Sequence, residues 1–490
     1  MSNGYPANNV YIGARYVPKL VGEWDGTKET AYEPLIIVTY QGNSYTSRQY
    51  VPAGIDISNT EYWVLTGNFN GQIESFRLAL EAVGNRANTI YMDTVQDMME
   101  STRLKAGDIV TCFGYYQLGD MPITSYSIIE DGAADGGSII SVGNTLKARA
   151  LFGHTITPSQ FGCTPDDTAN MLTYVNFVNN NNYEFEVDGL YKIAEPLTIA
   201  KSMRGYPNNQ GRCGFIWEGE AADSSLITLS DTLSSGYPDT FVSDLYIQCN
   251  NDDQPTTSGL SYGVAIPNAS KVTLARLRIN HASKFALKLT SAWNLTIEAV
   301  NSFGNGGLLT TLGGIVTSSY FNRLYCQGCK AANAMILENV HYSSFSDLAF
   351  DSCNTSSDLI SLSACDGVRL SGIGSEGSSP QSFFNLSSCK ATKIDGINLI
   401  SCDLNLAILY ASGNTFAEFT SPRCDKCTKK GNGYRSYFAD SMDGFVTIKS
   451  GSSPEEAGGD AVFTSTGSVL IINPNKISMY INGTEKTIVS

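Results

Sequence analysis

Leu324-Tyr325-Cys326, Leu348-Ala349-Phe350, Ile373-Gly374-Ser375 and Ile397-Asn398-Leu399 share one apolar-polar frame and follow one another at steps of 24, 25 and 24 residues. Working outward, Leu245-Tyr246-Ile247 and Leu277-Arg278-Ile279 fit the same frame, while Ala299-Val300-Asn301 and Phe419-Thr420-Ser421 fit it less well. Further rows keep a step of 24: Ile336, Ile360, Phe384 and Ile408; Glu338, Leu362, Leu386 and Tyr410; Phe345, Arg369, Lys393 and Ala417. Three short strand rows per repeat, parted by Gly, Ser and Asn, form the pattern of a right-handed parallel β-helix. Each coil supplies a few inward apolar side chains, and no coil can bury them alone. A β-sandwich predicts turns every ~8–12 residues without long-range phase, so the held phase decides against it. The expectation is an all-β chain with the β-helix over residues 156–431, roughly eight to ten coils.

An axial stack needs covered ends. Asp166-Asp167-Thr168 ahead of Met171, Leu172, Tyr174, Val175 and Val178 reads as a capped amphipathic helix, an N-terminal lid. Residues 432–490 read as a C-terminal β domain, with strands near 461–464, 469–472 and 477–481 and an Asn482-Gly483 turn. Upstream, 1–67 reads as a small β module whose hairpin turns at Gln41-Gly42-Asn43-Ser44. Residues 68–92 read as a helical linker with Ile73, Phe76, Leu80 and Val83 on one face. Residues 93–155 read as a compact α+β unit with a helix around 94–102.

The 490 residues carry 32 Lys+Arg against 47 Asp+Glu, a net charge of −15, and only 16% are charged, below the ~25% of an average soluble chain. A surface of that sign repels phosphate backbones, so no nucleic-acid partner is expected. No apolar run approaches the ~20 residues of a membrane span, which argues against membrane insertion. The start, Met1-Ser2-Asn3-Gly4-Tyr5-Pro6, lacks the basic and apolar parts of an export signal, which points to folding in a cytoplasm. Cys326/Cys329 and Cys424/Cys427 resemble halves of a four-cysteine zinc site. They lie 98 residues and four coils apart, roughly 19 Å at strand spacing. The twelve cysteines therefore read as stacked thiols in small interior positions, and neither a metal nor a nucleotide cofactor is expected.

Tyr11-Ile12-Gly13-Ala14-Arg15-Tyr16-Val17-Pro18 through Glu61-Tyr62-Trp63 resembles an N-terminal module of tail and appendage proteins of short-tailed bacteriophages. Tyr40-Gln41-Gly42-Asn43-Ser44-Tyr45 with Tyr62-Trp63 is similar to small chitin-binding-type carbohydrate modules. Residues 93–98, 104–110 and Gly114-Tyr115-Tyr116 resemble a unit that precedes tailspike β-helices. Phe161-Gly162-Cys163-Thr164-Pro165-Asp166-Asp167-Thr168 resembles the opening of the pectate-lyase-like superfamily, with a shorter loop that lacks its Asp-Gly. The resemblance implies a homotrimeric virion protein of the phage tail. Its N-terminal part would join other tail or collar proteins, and its shaft would face a host cell-surface polysaccharide or teichoic acid. The superfamily includes depolymerases, deacetylases and inert adhesive shafts, so catalysis is not implied by it.

Two groups of residues carry candidate chemistry. Trp24, Tyr40, Tyr45, Tyr62 and Trp63 offer either a platform for sugar rings or the core of their own module, the weightier reading in so small a unit. On the β-helix, the position three residues past each frame anchor runs Gln248, Asn280, Ser302, Gln327, Asp351, Glu376, Ile400 and Pro422. Asp351 and Glu376 then sit on adjacent coils, ~4.8 Å apart along the stack, near the ~5–5.5 Å of a retaining carboxylate pair. The same outward acids on an acidic chain also serve plain solvation. Asp403 and Asp425 form a second such row, Asp252-Asp253 lie in a long coil, and His281 and His341 are candidate bases. Two functions stay open: recognition of a host glycan without turnover, or depolymerisation by a glycoside hydrolase or lyase using Asp351 and Glu376.

Overall fold

A computed structural model describes residues 18–24, 31–68, 73, 75, 77–78, 89–206, 213–235, 239–250, 259–430, 435–449, 462–463, 467–473 and 476–489. Strands make up 55% and helices 7%, and the body is a parallel β-solenoid of about 14 turns, longer than the eight to ten coils expected. The start falls one residue ahead of the expected 156, and the C-terminal end contributes extra turns. Parallel pairing begins at Thr155–Ile156 against Glu184–Val187. It also continues past residue 431: Arg435–Met442 pairs with Ala407–Gly413, Phe445–Lys449 with Phe416–Thr420, and Ser468–Asn473 with Phe445–Lys449. The boundary expected at 432 is thus corrected. The terminal cap is the antiparallel pair Lys476–Ile481 and Thr484–Val489, joined through Asn482 and Gly483 at φ 50° and 75°, as a tight hairpin turn requires.

The three expected strand rows lie in a 20-stranded and a 13-stranded sheet. Two of the rows merge because strands such as Tyr320–Gln327, Ser344–Asp351 and Arg369–Glu376 run through both with a bend. The bend is one left-handed residue at the same place in successive coils: Asp244, Arg276, Ala299, Arg323, Asp347, Gly372 and Gly396, at φ 52–67°. It shifts the inward-outward alternation by one, so Phe345 and Leu348, three apart, are both buried.

That bend, with coils alternating between 24 and 25 residues, corrects several rows. Val300 rather than Ala299 pairs with Leu324, and Arg423 pairs with Asn398, so the frame beyond Ile397 begins at Pro422 and not Phe419. The core columns are Met335–Ile360–Phe384–Leu409, Leu337–Leu362–Leu386–Ala411 and Phe321–Phe345–Leu370–Ile394–Phe419. Ile336, Ile408, Glu338, Tyr410, Arg369 and Lys393 each lie one residue off them, and Ala417 lies two residues off. Phe321 and Phe345 stack face to face at 4.1 Å and 9°, inside one continuous cluster that runs from Ile156 to Ile471.

Helix Met171–Asn180 buries Met171, Tyr174, Val175 and Val178, and Tyr174 meets Phe185 of the first coils ring to ring at 5.5 Å. Its cap is Asn170, not the Asp166–Thr168 stretch; Thr168 Oγ1 instead donates to the Lys192 carbonyl at 2.9 Å. Among the described residues, which include all twelve cysteines, no disulfide forms. Cys329, Cys353, Cys402 and Cys427 follow left-handed Gly328, Ser352, Ser401 and Lys426 at one corner of the stack. The thiols of Cys353, Cys402 and Cys427 donate to carbonyls one coil below.

Upstream, Lys19–Glu23, Ile36–Tyr40, Asn43–Ser47 and Trp63–Gly67 form a four-stranded sheet. Its hairpin turns on Gln41-Gly42 alone, since Asn43 already pairs with Tyr40. A five-stranded sheet follows and starts at Thr89–Met92, four residues ahead of the boundary expected at 93. Helix Val95–Glu100 in that unit opens with a Thr94–Asp97 capping box. The expected helix near 68–86 lies largely outside the described residues, as do Asp252 and Asp253. Among the described residues no helix is long and apolar enough to cross a membrane.

Candidate functional site

Beyond the bend, the strands of the larger sheet present two outward columns. One runs Tyr246, Arg278, Asn301, Tyr325, Ala349, Gly374, Asn398 and Arg423; the other runs Gln248, Asn280, Phe303, Gln327, Asp351, Glu376, Ile400 and Asp425. Asp351 pairs directly with Glu376 on the next coil. Phe303 takes the place expected for Ser302, one residue along, and Asp425 that expected for Pro422, three residues along; Ser302 is fully buried. Asp403 pairs with Thr428, so Asp403 and Asp425 are not one row.

Charge separates these two acids from others on the stack. Arg276 forks onto Asp244 at 2.6 and 2.7 Å, Arg369 and Lys393 reach Asp395 at 3.4 and 3.7 Å, and Lys430 and Lys449 reach Asp403 and Glu418 at 2.8 and 2.9 Å. Among the described residues Asp351 and Glu376 pair with no cation; Asp351 instead accepts from the Tyr325 hydroxyl at 2.8 Å. Burial, followed by that bond, pushes the Tyr325 phenol up to about 12, so it remains a donor at neutral pH.

Aromatic and polar groups extend the surface along the axis. The Tyr325 ring lies 5.5 Å from Phe303, and the Arg278 guanidinium sits 4.5 Å over Phe303 and 5.8 Å from Tyr246. The Tyr246 hydroxyl donates to Gln248 Oε1 at 2.6 Å and accepts from Asn280 Nδ2 at 3.1 Å. Buried Asn280 Oδ1 and Arg278 Nε have no hydrogen-bond partner among the described residues. At Ala349 and Gly374 the side chains are small or absent. A Cβ added at Gly374 would meet only the Leu348 carbonyl oxygen, at 3.9 Å. The floor beside Asp351 and Glu376 is therefore open, which is the shape an extended polar chain needs to lie against a sheet.

The other candidates are placed differently. His281 Nδ1 lies 2.8 Å from Gln248 Nε2, at the lower end of this surface. His341 belongs to the other sheet, beside Tyr342. Trp63, 2% exposed, is core in the N-terminal module, edge-on to Tyr32 at 5.3 Å, which removes it as a platform. Trp24, Tyr40, Tyr45 and Tyr62 are partly buried on the same core, Trp24 edge-on to Tyr40 at 5.0 Å.

Sequence reasoning missed Arg278, Phe303 and Tyr325 because their joining depends on a register one residue from the expected one. It also missed a cleft of about 670 Å³ lined by Asp120, Ile123, Glu186, Asp188 and Tyr206. Its acids hold structural bonds: Asp120 accepts amides of Tyr115, Tyr116 and Gln117, Glu186 the Thr155 hydroxyl, and Asp188 the Ser159 and Tyr191 hydroxyls.

No protein-family model matches the sequence. Among solved structures, the chain is similar to the enzymatically active domain of tailspike protein 2 of bacteriophage CBA120, with TM-score 0.55 and 11% identity over 77% of this chain and 60% of that one. It is also similar to the gp42 tailspike of Acinetobacter phage vb_AbaP_AS12, with TM-score 0.53 and 13% identity over 82% of this chain and 76% of that one. The chain thus spans 60% of the length of the first. At such identities the likeness is one of fold, and the fold is the parallel β-helix of phage tailspikes.

Proposed function

We propose that this protein is a tailspike-like appendage of a bacteriophage virion that recognises a host cell-surface glycan along the surface from Arg278 to Glu376. The observation that carries the reading is an in-register, uncompensated carboxylate pair beside an open floor, continued by Tyr325, Phe303 and Arg278. Like charges directly opposed across a sheet destabilise it, and cations neutralise acids elsewhere on this stack. A polyhydroxylated ligand supplies what the surface lacks: hydroxyl donors for the carboxylates and C–H faces for the rings. The tailspike fold and the resemblance of residues 11–63 to tail modules support a virion setting. They also support attachment to tail or collar proteins through the N-terminal part, and a homotrimer. The outer faces of Trp24, Tyr40, Tyr45 and Tyr62 would give that module a lesser glycan contact.

A second reading rests on the same pair. Two carboxyl groups on neighbouring strands suit acid–base or acid–nucleophile cleavage of a glycosidic bond, which makes the protein a depolymerase of capsule or cell-wall polymer. One experiment separates the two: purified protein is incubated with envelope glycans of candidate hosts, and both retention and release of soluble fragments are followed. Retention without release in the wild type supports recognition. Release abolished by D351N/E376Q, with retention kept, supports cleavage. Neither retention nor release across the hosts tested overturns both.

A further inference from the structure

Cys326, Cys329 and Cys353 bring their sulfurs within 4.8 Å of one another, and all three are fully buried. The fold assembles them in two steps. The CxxC spacing puts Cys326 near the inward end of strand Tyr320–Gln327 and Cys329 just past left-handed Gly328, where the chain turns the corner. The next coil then sets Cys353, which follows left-handed Ser352, at the same corner. The sequence search for four cysteines rightly separates Cys326/Cys329 from Cys424/Cys427. It does not count a third thiol delivered by the neighbouring coil.

We propose that Cys326, Cys329 and Cys353 bind one thiophilic metal ion, Zn²⁺ or Cu⁺, as thiolates. Soft sulfur donors favour these two ions over harder ones. A triangle with edges of at most 4.8 Å puts its centre no more than about 2.8 Å from each sulfur, so reaching the ~2.3 Å of a zinc–thiolate bond moves each by about half an ångström at most. On its other side Cys326 Sγ donates to Ser302 Oγ at 3.8 Å, one coil below. Each S–H bond replaced by a sulfur–metal bond releases its proton to solvent. Because the site is closed in the finished stack, the ion enters while these coils form and is then held inside.

The competing account is that the thiols only fill space, as do Cys365 and Cys389 at another corner. The chain itself supplies the discriminating variants. Ser302 pairs with Cys326 one coil below, and Ser378 follows left-handed Gly377 at the Cys353 corner one coil above, donating to the Phe350 carbonyl. C326S and C353S therefore suit the same backbone while removing a soft donor.

The test is metal content by mass spectrometry after expression with added zinc or copper and purification without chelator. It is paired with refolding from denaturant in Cd²⁺, read by sulfur-to-metal charge-transfer absorbance. The expected result is about one ion per wild-type chain, a tenth or less in C326S and C353S, and no change in C365S, with all variants showing wild-type circular dichroism. Wild-type protein without metal in both arms overturns the proposal. Metal retained in C353S and C326S places the ion elsewhere and overturns it equally.

Discussion

The Phe321–Phe345 pair tests whether the core is an axial stack with the observed register. Both rings are fully buried, on adjacent coils, 4.1 Å apart and nearly parallel, and the next residue up their column is Leu370. Phe345→Leu thus installs what the stack already accepts one coil higher, losing the ring pair and some volume, for about 1–1.5 kcal/mol. Phe345→Ala leaves a cavity and costs about 3–5 kcal/mol. A double-mutant cycle of F321L and F345L isolates the ring contact at about 0.5–1.5 kcal/mol. The same cycle between F321L and F419L, four coils or roughly 19 Å apart, is expected to be additive within ~0.5 kcal/mol. Unfolding rates in guanidinium provide the readout, because they stay measurable when a long stack refolds slowly. A coupling of 1 kcal/mol released on the way to the transition state changes the rate about fivefold. Additivity in the Phe321/Phe345 cycle, or F345A no worse than F345L, would refute the register from which the whole outer surface is read.

Four further outcomes are expected. Gly374→Trp, placed where an added Cβ meets only one carbonyl, should leave the circular dichroism unchanged and lower glycan retention at least tenfold; unchanged retention would remove this surface from the proposal. Tyr325→Phe should weaken retention by less, about threefold to tenfold for one hydrogen bond, as measured by isothermal titration. At Gly396, φ 67°, an added Cβ lies 2.9 Å from the Gly372 nitrogen. Gly396→Ala should therefore cost at least the ~1–2 kcal/mol of a left-handed L-residue, while Asp347→Gly at the same bend should not destabilise comparably in urea unfolding. Burial pushes the Cys112 and Cys163 thiols and the Tyr115 and Tyr437 phenols up to about 12. Their folded values exceed the unfolded ~8.5 and ~10, so the stability they give is full below those values and lost as pH rises. The unfolding free energy from urea titrations should fall from about pH 8.5 and more steeply above pH 10, by about 1.4 kcal/mol per unit per group; a flat profile from pH 8 to 11 would contradict it.

Much of this was legible in the chain, and the errors share one physical origin. The steps of 24 and 25 residues are enough to specify a stack, because only stacking rewards phase held over so many repeats. They also place Asp351 beside Glu376, since Leu348 and Ile373 are true frame positions. What sequence could not fix was phase through a bend. Ala299, Arg323 and Asp347 adopt φ near 53°, a conformation that favours Gly or Asn and that nothing in these side chains announces. One such residue moves every neighbour beyond it to the other face. That is how Phe303 was read as Ser302 and how the aromatic half of the surface stayed hidden. The later coils announce the bend better, with Gly372 and Gly396 at the same position. The end of the stack was misplaced for a different reason: residues 435–449 and 468–473 keep the pairing with fewer of the repeated residue types.

A solenoid turns function into a departure from repetition. Each coil meets nearly the same surroundings as its neighbours, so one solution for an outward acid recurs, a Lys or Arg on its own coil or the next, as at Asp395, Asp403 and Glu418. Asp351 and Glu376 lack that solution: Arg369 and Lys393, near the starts of their strands and on the far side of the bend, pair with Asp395. The adjoining column departs at the same two coils, exchanging Tyr325 for Ala349 and Gly374 before Asn398 and Arg423 resume larger side chains. Two independent columns breaking pattern at one height is hard to reconcile with solvation, which needs the acids but not the missing side chains beside them. A ligand chain lying along the axis needs both. The same reasoning separates the Cys326 cluster from the other thiols: a lone ladder of cysteines continues a pattern, whereas a CxxC turned onto its neighbour's corner concentrates three donors in one place.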